Sequence, residues 1–96
     1  MLQGVERMKV VINGCYGGFN PSEKAKKRYA ELSGLELCHD VRRDDQHLVQ
    51  VIEELGKDAS GSGSSLKVVV IPDNIDWEIS SYDGIEWVYE PAHVWW

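Results

Sequence analysis

Basic residues are scarce in this chain. Ten Lys and Arg stand against sixteen Asp and Glu, a formal net charge of −6, and such a surplus excludes general binding to a nucleic-acid backbone. Long apolar runs are missing as well. The longest, Val68-Val69-Val70-Ile71, is far too short to cross a bilayer, and the first residues hold no apolar stretch of the signal-peptide kind. A cytoplasmic protein without a membrane partner is expected. Cysteine is limited to Cys15 and Cys38, with no CxxC spacing, which in a reducing compartment predicts two free thiols. The phosphate-loop fingerprints GxGxxG and GxxxxGK[ST] are both absent.

What is present is the make-up of a globular protein: 96 residues, 43% hydrophobic and 27% charged. A chain of this length forms one domain, buries about 60–65% of its unfolded surface and keeps a thin stability margin. That domain is expected over residues 8–96, with residues 1–7, which show neither periodicity nor caps, as a disordered extension.

The organising stretch runs from Lys9 to Arg28. Val10-Val11-Ile12 is β-branched on both faces, the pattern of a central strand covered on both sides. The loop Asn13-Gly14-Cys15-Tyr16-Gly17-Gly18-Phe19 follows, and then a helix opens with Asn20 as cap, Pro21 at the first helical position and Glu23 three residues after the cap. Ala25, Tyr29 and Leu32 share one helix face, and Gly34 ends the helix in a left-handed conformation. Leu35-Glu36-Leu37-Cys38 alternates and reads as an edge strand. Asp44 or Asp45 caps a second helix with Leu48, Val51, Ile52 and Leu55 facing inward, closed by Gly56. The Ser60–Ser65 segment, alternating serine and glycine, is a surface loop inside the domain.

Lys67 to Ile71 is the second β-branched run, expected beside the first, and Pro72-Asp73-Asn74 ends it in a turn. Ile75–Ser80 and Ile85–Glu90 then alternate with period two. A three-residue loop, Tyr82-Asp83-Gly84, would set Ile79 opposite Trp87 and Trp77 opposite Tyr89, with acidic residues on the other face. The order βαβαβ followed by a hairpin predicts an α/β domain. Its mixed five-stranded sheet has spatial order 2-1-3-4-5, the first three strands parallel and one helix on each face. Two helices leave the hairpin's aromatic residues uncovered, so either the tail Val94-Trp95-Trp96 or a second copy must cover them.

In such a sheet a ligand sits outside the C-terminal strand ends. The residues placed there are Asn13, Cys15, Gly17, Gly18, Asn20, Ser22 and Asp73, whose glycines and polar groups suit a small anionic ligand at a helix N-terminus. Cys15 is the candidate nucleophile and His39, with Asp40, its candidate activator. A buried structural cysteine is nevertheless the favoured reading of Cys15, and no catalytic residue is assigned. Lys24, Lys26, Lys27 and Arg28 behind the loop read as a solvated helix face. His39, Asp40, Asp44, Asp45 and His47 match no standard metal spacing, so neither a metal nor a cofactor is expected.

Met8-Lys9-Val10-Val11-Ile12-Asn13-Gly14-Cys15-Tyr16-Gly17-Gly18-Phe19 resembles the N-terminal motif of a family of small proteins of unknown activity encoded widely by bacteriophages and related mobile DNA. The likeness extends through Glu53-Glu54-Leu55-Gly56, Ala59-Ser60, Ile71-Pro72-Asp73, Trp77-Glu78-Ile79 and Tyr82-Asp83-Gly84-Ile85-Glu86, nearly the whole chain from Met8. Members of that family run longer between the second strand and the second helix. They also end in a basic His/Arg tail where this chain has Pro91-Ala92-His93-Val94-Trp95-Trp96. The resemblance carries over no activity; it implies a viral origin and action in a host cytoplasm. The expected function is a small accessory binding module that engages a host protein or itself through Trp77, Trp87, Tyr89, Trp95 and Trp96. The alternative is a binder, with or without catalysis, of a phosphorylated or nucleotide-like ligand at the glycine loop.

Overall fold

The computed structural model describes residues 7–38, 40–72, 75–90 and 93–95. The two β-branched runs form β1 (Arg7–Asn13) and β2 (Leu66–Pro72), paired side by side as expected, but antiparallel, with Arg7 opposite Pro72 and Asn13 opposite Leu66. Between them lie α1 (Glu23–Ser33), α2 (Gln46–Leu55) and a 3-10 turn over Gly56–Ala59. The chain then forms β3 (Glu78–Tyr82), β4 (Ile85–Glu90) and β5 (His93–Trp95). These three make a second antiparallel sheet, in the order β3-β4-β5.

The predicted single mixed sheet of order 2-1-3-4-5 is therefore replaced by two antiparallel sheets. The cause lies in Leu35–Cys38, expected as an edge strand and here irregular: only Leu37 is buried, while Leu35 points to solvent. Without a strand between them, α1 and α2 form a helical hairpin. The start of α1 meets the end of that hairpin, where Ser22 N–H donates to the Ala59 carbonyl at 2.8 Å and Ser22 Oγ to the Asp58 carbonyl at 2.7 Å. A chain that leaves β1 and travels down one helix and back along another returns to the end it left. The next strand must then run antiparallel.

Both helices lie on one face of the β1–β2 sheet, not one on each face. Val11, Leu66 and the partly buried Val68 join Ala25, Tyr29, Leu48, Val51 and Ile52 in one core. The three-stranded sheet covers the opposite face, where Val10, Ile12, Val69 and Ile71 meet Val88, Ile79, Trp77 and Trp95. The short β1–β2 sheet is thus the middle of three layers, and Val10, Val11 and Ile12 are all fully buried, as their pattern on both faces predicts.

The helix caps follow local chemistry with small displacements. Ser22, not Asn20, caps α1, its Oγ accepting from Ala25 N–H at 3.1 Å, while Pro21 forms an isolated bridge with Ser60. Gly34 closes α1 at φ 76° and Asp45 caps α2 through His47 and Leu48 N–H, as expected.

The β3–β4 hairpin turns on two residues, not three. Tyr82 pairs with Ile85, Ile79 with Val88 and Ser80 with Trp87; Asp83 (φ 52°) and Gly84 (φ 92°) both take the positive φ that a type I′ turn demands. One residue of register divides the aromatics between faces. Trp77 and Ile79 pack inward with Val88, whereas Trp87 and Tyr89 stand on the outer face. The register also turns Glu86 inward, and the fold supplies it with a partner.

Candidate functional site

Asn13, at the end of β1, is fully buried and joins three loops. Its Nδ2 donates to the carbonyls of Cys15 (2.5 Å) and Gly84 (2.6 Å). Its Oδ1 accepts from Ser65 N–H (2.8 Å) and the Ser64 hydroxyl (3.1 Å), and its own N–H donates to Glu86 Oε1 at 2.8 Å. The loops that follow β1, precede β2 and turn the hairpin are therefore tied at a single side chain. The approach leaves no room for a Cβ. On Gly17, at φ 116°, one would strike the Gly63 carbonyl oxygen, and on Gly84 the backbone nitrogens of Gly17 and Gly18.

Four of the residues expected at a ligand site, Asn13, Cys15, Gly17 and Asn20, do gather along the 60–65 loop or the hairpin turn, while Ser22 meets Asp58 and Ala59 of the 3-10 turn. Their polar groups are turned to each other. Gly14 N–H donates to the Ser65 carbonyl (2.8 Å) and Gly17 N–H to that of Asp83 (3.2 Å). Asn20 N–H donates to Ser64 Oγ (3.3 Å), and its Nδ2 to the Ser62 carbonyl (3.0 Å). The Cys15 thiol, half-buried, donates to the carbonyls of Tyr16 (3.0 Å) and Gly63 (3.4 Å). Gly18 takes φ 97°, and no atom crowds the space its Cβ would enter. His39, Asp73 and Trp96 lie outside the described residues. Both cysteines are free, and among the described residues no group of three or more His, Cys, Asp or Glu could hold a metal.

The strongest electrostatic feature beside this junction is an ion pair between Arg43, in the connection before α2, and Glu86, in β4. Arg43 Nη1 and Nη2 grip Glu86 Oε1 and Oε2 at 2.6 and 3.0 Å, with side chains only 18% and 10% exposed. The guanidinium also lies 3.8 Å from the Phe19 ring centroid. Main-chain atoms complete the arrangement: Val11 N–H donates to the Arg43 carbonyl at 2.8 Å, and Arg43 Nη1 reaches the Val11 carbonyl at 3.4 Å. Arg43 and Glu86 thus occupy the outer edge of β1. Glu86 had been assigned to an acidic solvent face because the hairpin was read one residue out of register.

The basic cluster behind the loop is a helix surface, as its spacing suggests. Lys26 pairs with Glu23, and Arg28 with Glu31 and Glu54; the Glu54 carboxylate, first, and Glu31 raise the Arg28 pKa further above its ordinary value.

The expected interaction residues do not share one face. Trp77 and Trp95 are partly buried against the β1–β2 sheet. Trp87 and Tyr89 stand on the outer face of the three-stranded sheet with Ile85, Tyr82 and Val94. Tyr82 is 68% exposed and Val94 56%. The described carboxylate on this face is Glu78, which accepts from the Tyr89 hydroxyl at 3.3 Å and, by its charge, raises the Tyr89 pKa. Tyr82 is a loop residue in the sequence reading and Val94 part of a covering tail; a two-residue turn register places Tyr82 on the face of Trp87, and the β4–β5 pairing brings Val94 there too.

Compared with protein-family models, curated proteins and solved structures, the chain matches none. Among the described residues no helix is long and apolar enough to cross a membrane.

Proposed function

We propose that this protein is a small accessory binding module of viral type, acting in a host cytoplasm, and that it associates through the outer face of its three-stranded sheet. The observation that carries the reading is the band of Tyr82, Ile85, Trp87, Tyr89 and Val94 on that face, with Tyr82 and Val94 more than half exposed. Aromatic side chains bring large contact area at low entropic cost. The partner this face suits is a second copy: a chain of net charge −6 meets its own kind most readily where its surface carries little charge. The ligand-binding alternative has less support, because the amides of Gly14, Gly17, Asn20 and Ser22 already donate within the protein.

Sedimentation across a range of concentrations tests the reading. The wild-type chain is expected to associate, and the Tyr82→Ser, Val94→Ser double variant to remain folded and monomeric. A wild type that stays monomeric throughout, or a double variant that associates equally well, would overturn it.

A further inference from the structure

The pairing of β1 with β2 fixes which way each main-chain group points. Gly14 N–H donates toward β2, to Ser65, while Val11 N–H turns away from it to Arg43. By that alternation the N–H and C=O groups of Lys67, Val69 and Ile71 face β1, and those of Leu66, Val68 and Val70 face outward. The two ends of this outer edge are closed. Leu66 N–H donates to Ser60 Oγ at 2.8 Å, and Pro72 has no N–H to offer. Between them Val68 and Val70 present main-chain donors and acceptors that meet no described residue. Val70 is itself 45% exposed.

Beside the edge runs a cleft of about 470 Å³ whose lining includes Ile52, Glu53, Lys57, Ser64, Lys67 and Val68. Its lining holds two lysines against one glutamate, a basic excess in a chain of net charge −6. Lys57 and Lys67 are exposed and form no ion pair with any described residue; the nearby Glu53 is engaged by Lys9 at 2.7 Å.

We propose that the open edge of β2 accepts an extended acidic segment of a partner protein as an added strand. Its main chain would pair with Val68 and Val70, an aliphatic side chain would lie along Val70, and carboxylates on the other face of the added strand would meet Lys67, with Lys57 adding positive charge along the cleft. A second copy is the wrong occupant, since pairing β2 with its own image would bring these lysines to one seam between two chains of like net charge. The site is separate from the outer aromatic face and does not rest on the association proposed there.

The probe is a short end-capped peptide alternating glutamate with valine, added to the full chain while amide hydrogen exchange is followed residue by residue. The acidic peptide is expected to slow exchange at Val68 and Val70, and a backbone-methylated version to leave both unchanged. Lys57→Glu with Lys67→Glu should weaken the acidic peptide about tenfold or more and admit a lysine–valine peptide instead. Val70→Pro removes one outward donor while leaving the β1-facing bonds in place, and should abolish binding without unfolding the chain. Three results would each overturn the proposal: no slowing with millimolar acidic peptide, equal slowing by the lysine–valine peptide on the wild type, or slowing that grows with protein concentration alone. None of these depends on whether the Tyr82→Ser, Val94→Ser variant associates.

Discussion

At the scale of single residues, the fold depends on polar side chains placed where apolar ones would be expected. Asn13 and Glu86 are the buried polar residues among those described, and every buried side-chain nitrogen or oxygen there has a partner. Removing one member of such a set exposes the cost of the others. Glu86→Leu leaves the Arg43 guanidinium unpaired and orphans Asn13 N–H, so unfolding in urea should show a loss of about 3–5 kcal/mol. Replacing both charges, Arg43→Met with Glu86→Leu, removes the unpaired cation but still leaves Asn13 N–H without an acceptor. The double variant should therefore recover part of the loss and remain about 1–3 kcal/mol below wild type. A double variant no more stable than Glu86→Leu would mean that the unpaired Arg43 guanidinium carries no penalty and that the loss rests on the orphaned Asn13 N–H. Sequence could not announce this pair. An arginine in a connection and a glutamate in an alternating strand are each ordinary, and their meeting depends on a one-residue choice of turn.

At the scale of elements, both helices were legible because their signals are local: Gly34 and Gly56 as closing glycines, Asp45 as cap, and the 3.6-residue spacing of Leu48, Val51, Ile52 and Leu55. Strand direction was not legible, because it depends on whether Leu35–Cys38 finds a strand to pair with, and nothing within that segment says that it will not. The glycine loop was legible as a place where backbones approach closely. What approaches it, though, is the chain's own Gly63 and Gly84, which no local pattern can report. The helical hairpin has its own tie: the Tyr29 hydroxyl on α1 donates to Asp45 Oδ2, the cap of α2, at 3.1 Å. Burial first, and then this carboxylate, raise the phenol's pKa above its ordinary 10.0. The native state therefore holds a proton that the unfolded chain releases at lower pH. This contribution is complete below about pH 10 and is lost as pH rises through the folded-state value. Tyr29→Phe should cost about 1 kcal/mol at neutral pH, and the gap between variant and wild type should narrow in melts above pH 10. A constant gap across that range would argue against the hydrogen bond.

At the scale of the whole molecule, three layers share one middle sheet, and the Arg43–Glu86 pair joins the helical side to the three-stranded sheet around the edge of β1. Val10 and Ile12, bonded to β2 and covered on both sides, should exchange their amide hydrogens only through global unfolding. The irregular stretch from Leu35 to Cys38, in which Leu37 is the buried side chain, should exchange through local opening at much lower free energy. Native-state exchange in low denaturant reads both, and equal protection of Val10 and Leu37 would contradict this layering. The middle position of β1 also has a consequence during synthesis. It is made before the elements that cover it: its strand partner is Leu66–Pro72 and the carboxylate that closes its edge is Glu86. At about 5–20 residues per second, a β-branched apolar stretch waits unpaired for several seconds while everything that will cover it is still being translated. These elements cannot settle one by one in the order they are made. They must fold late and as a unit, and Val10-Val11-Ile12 is the segment a holding chaperone would find exposed throughout that wait.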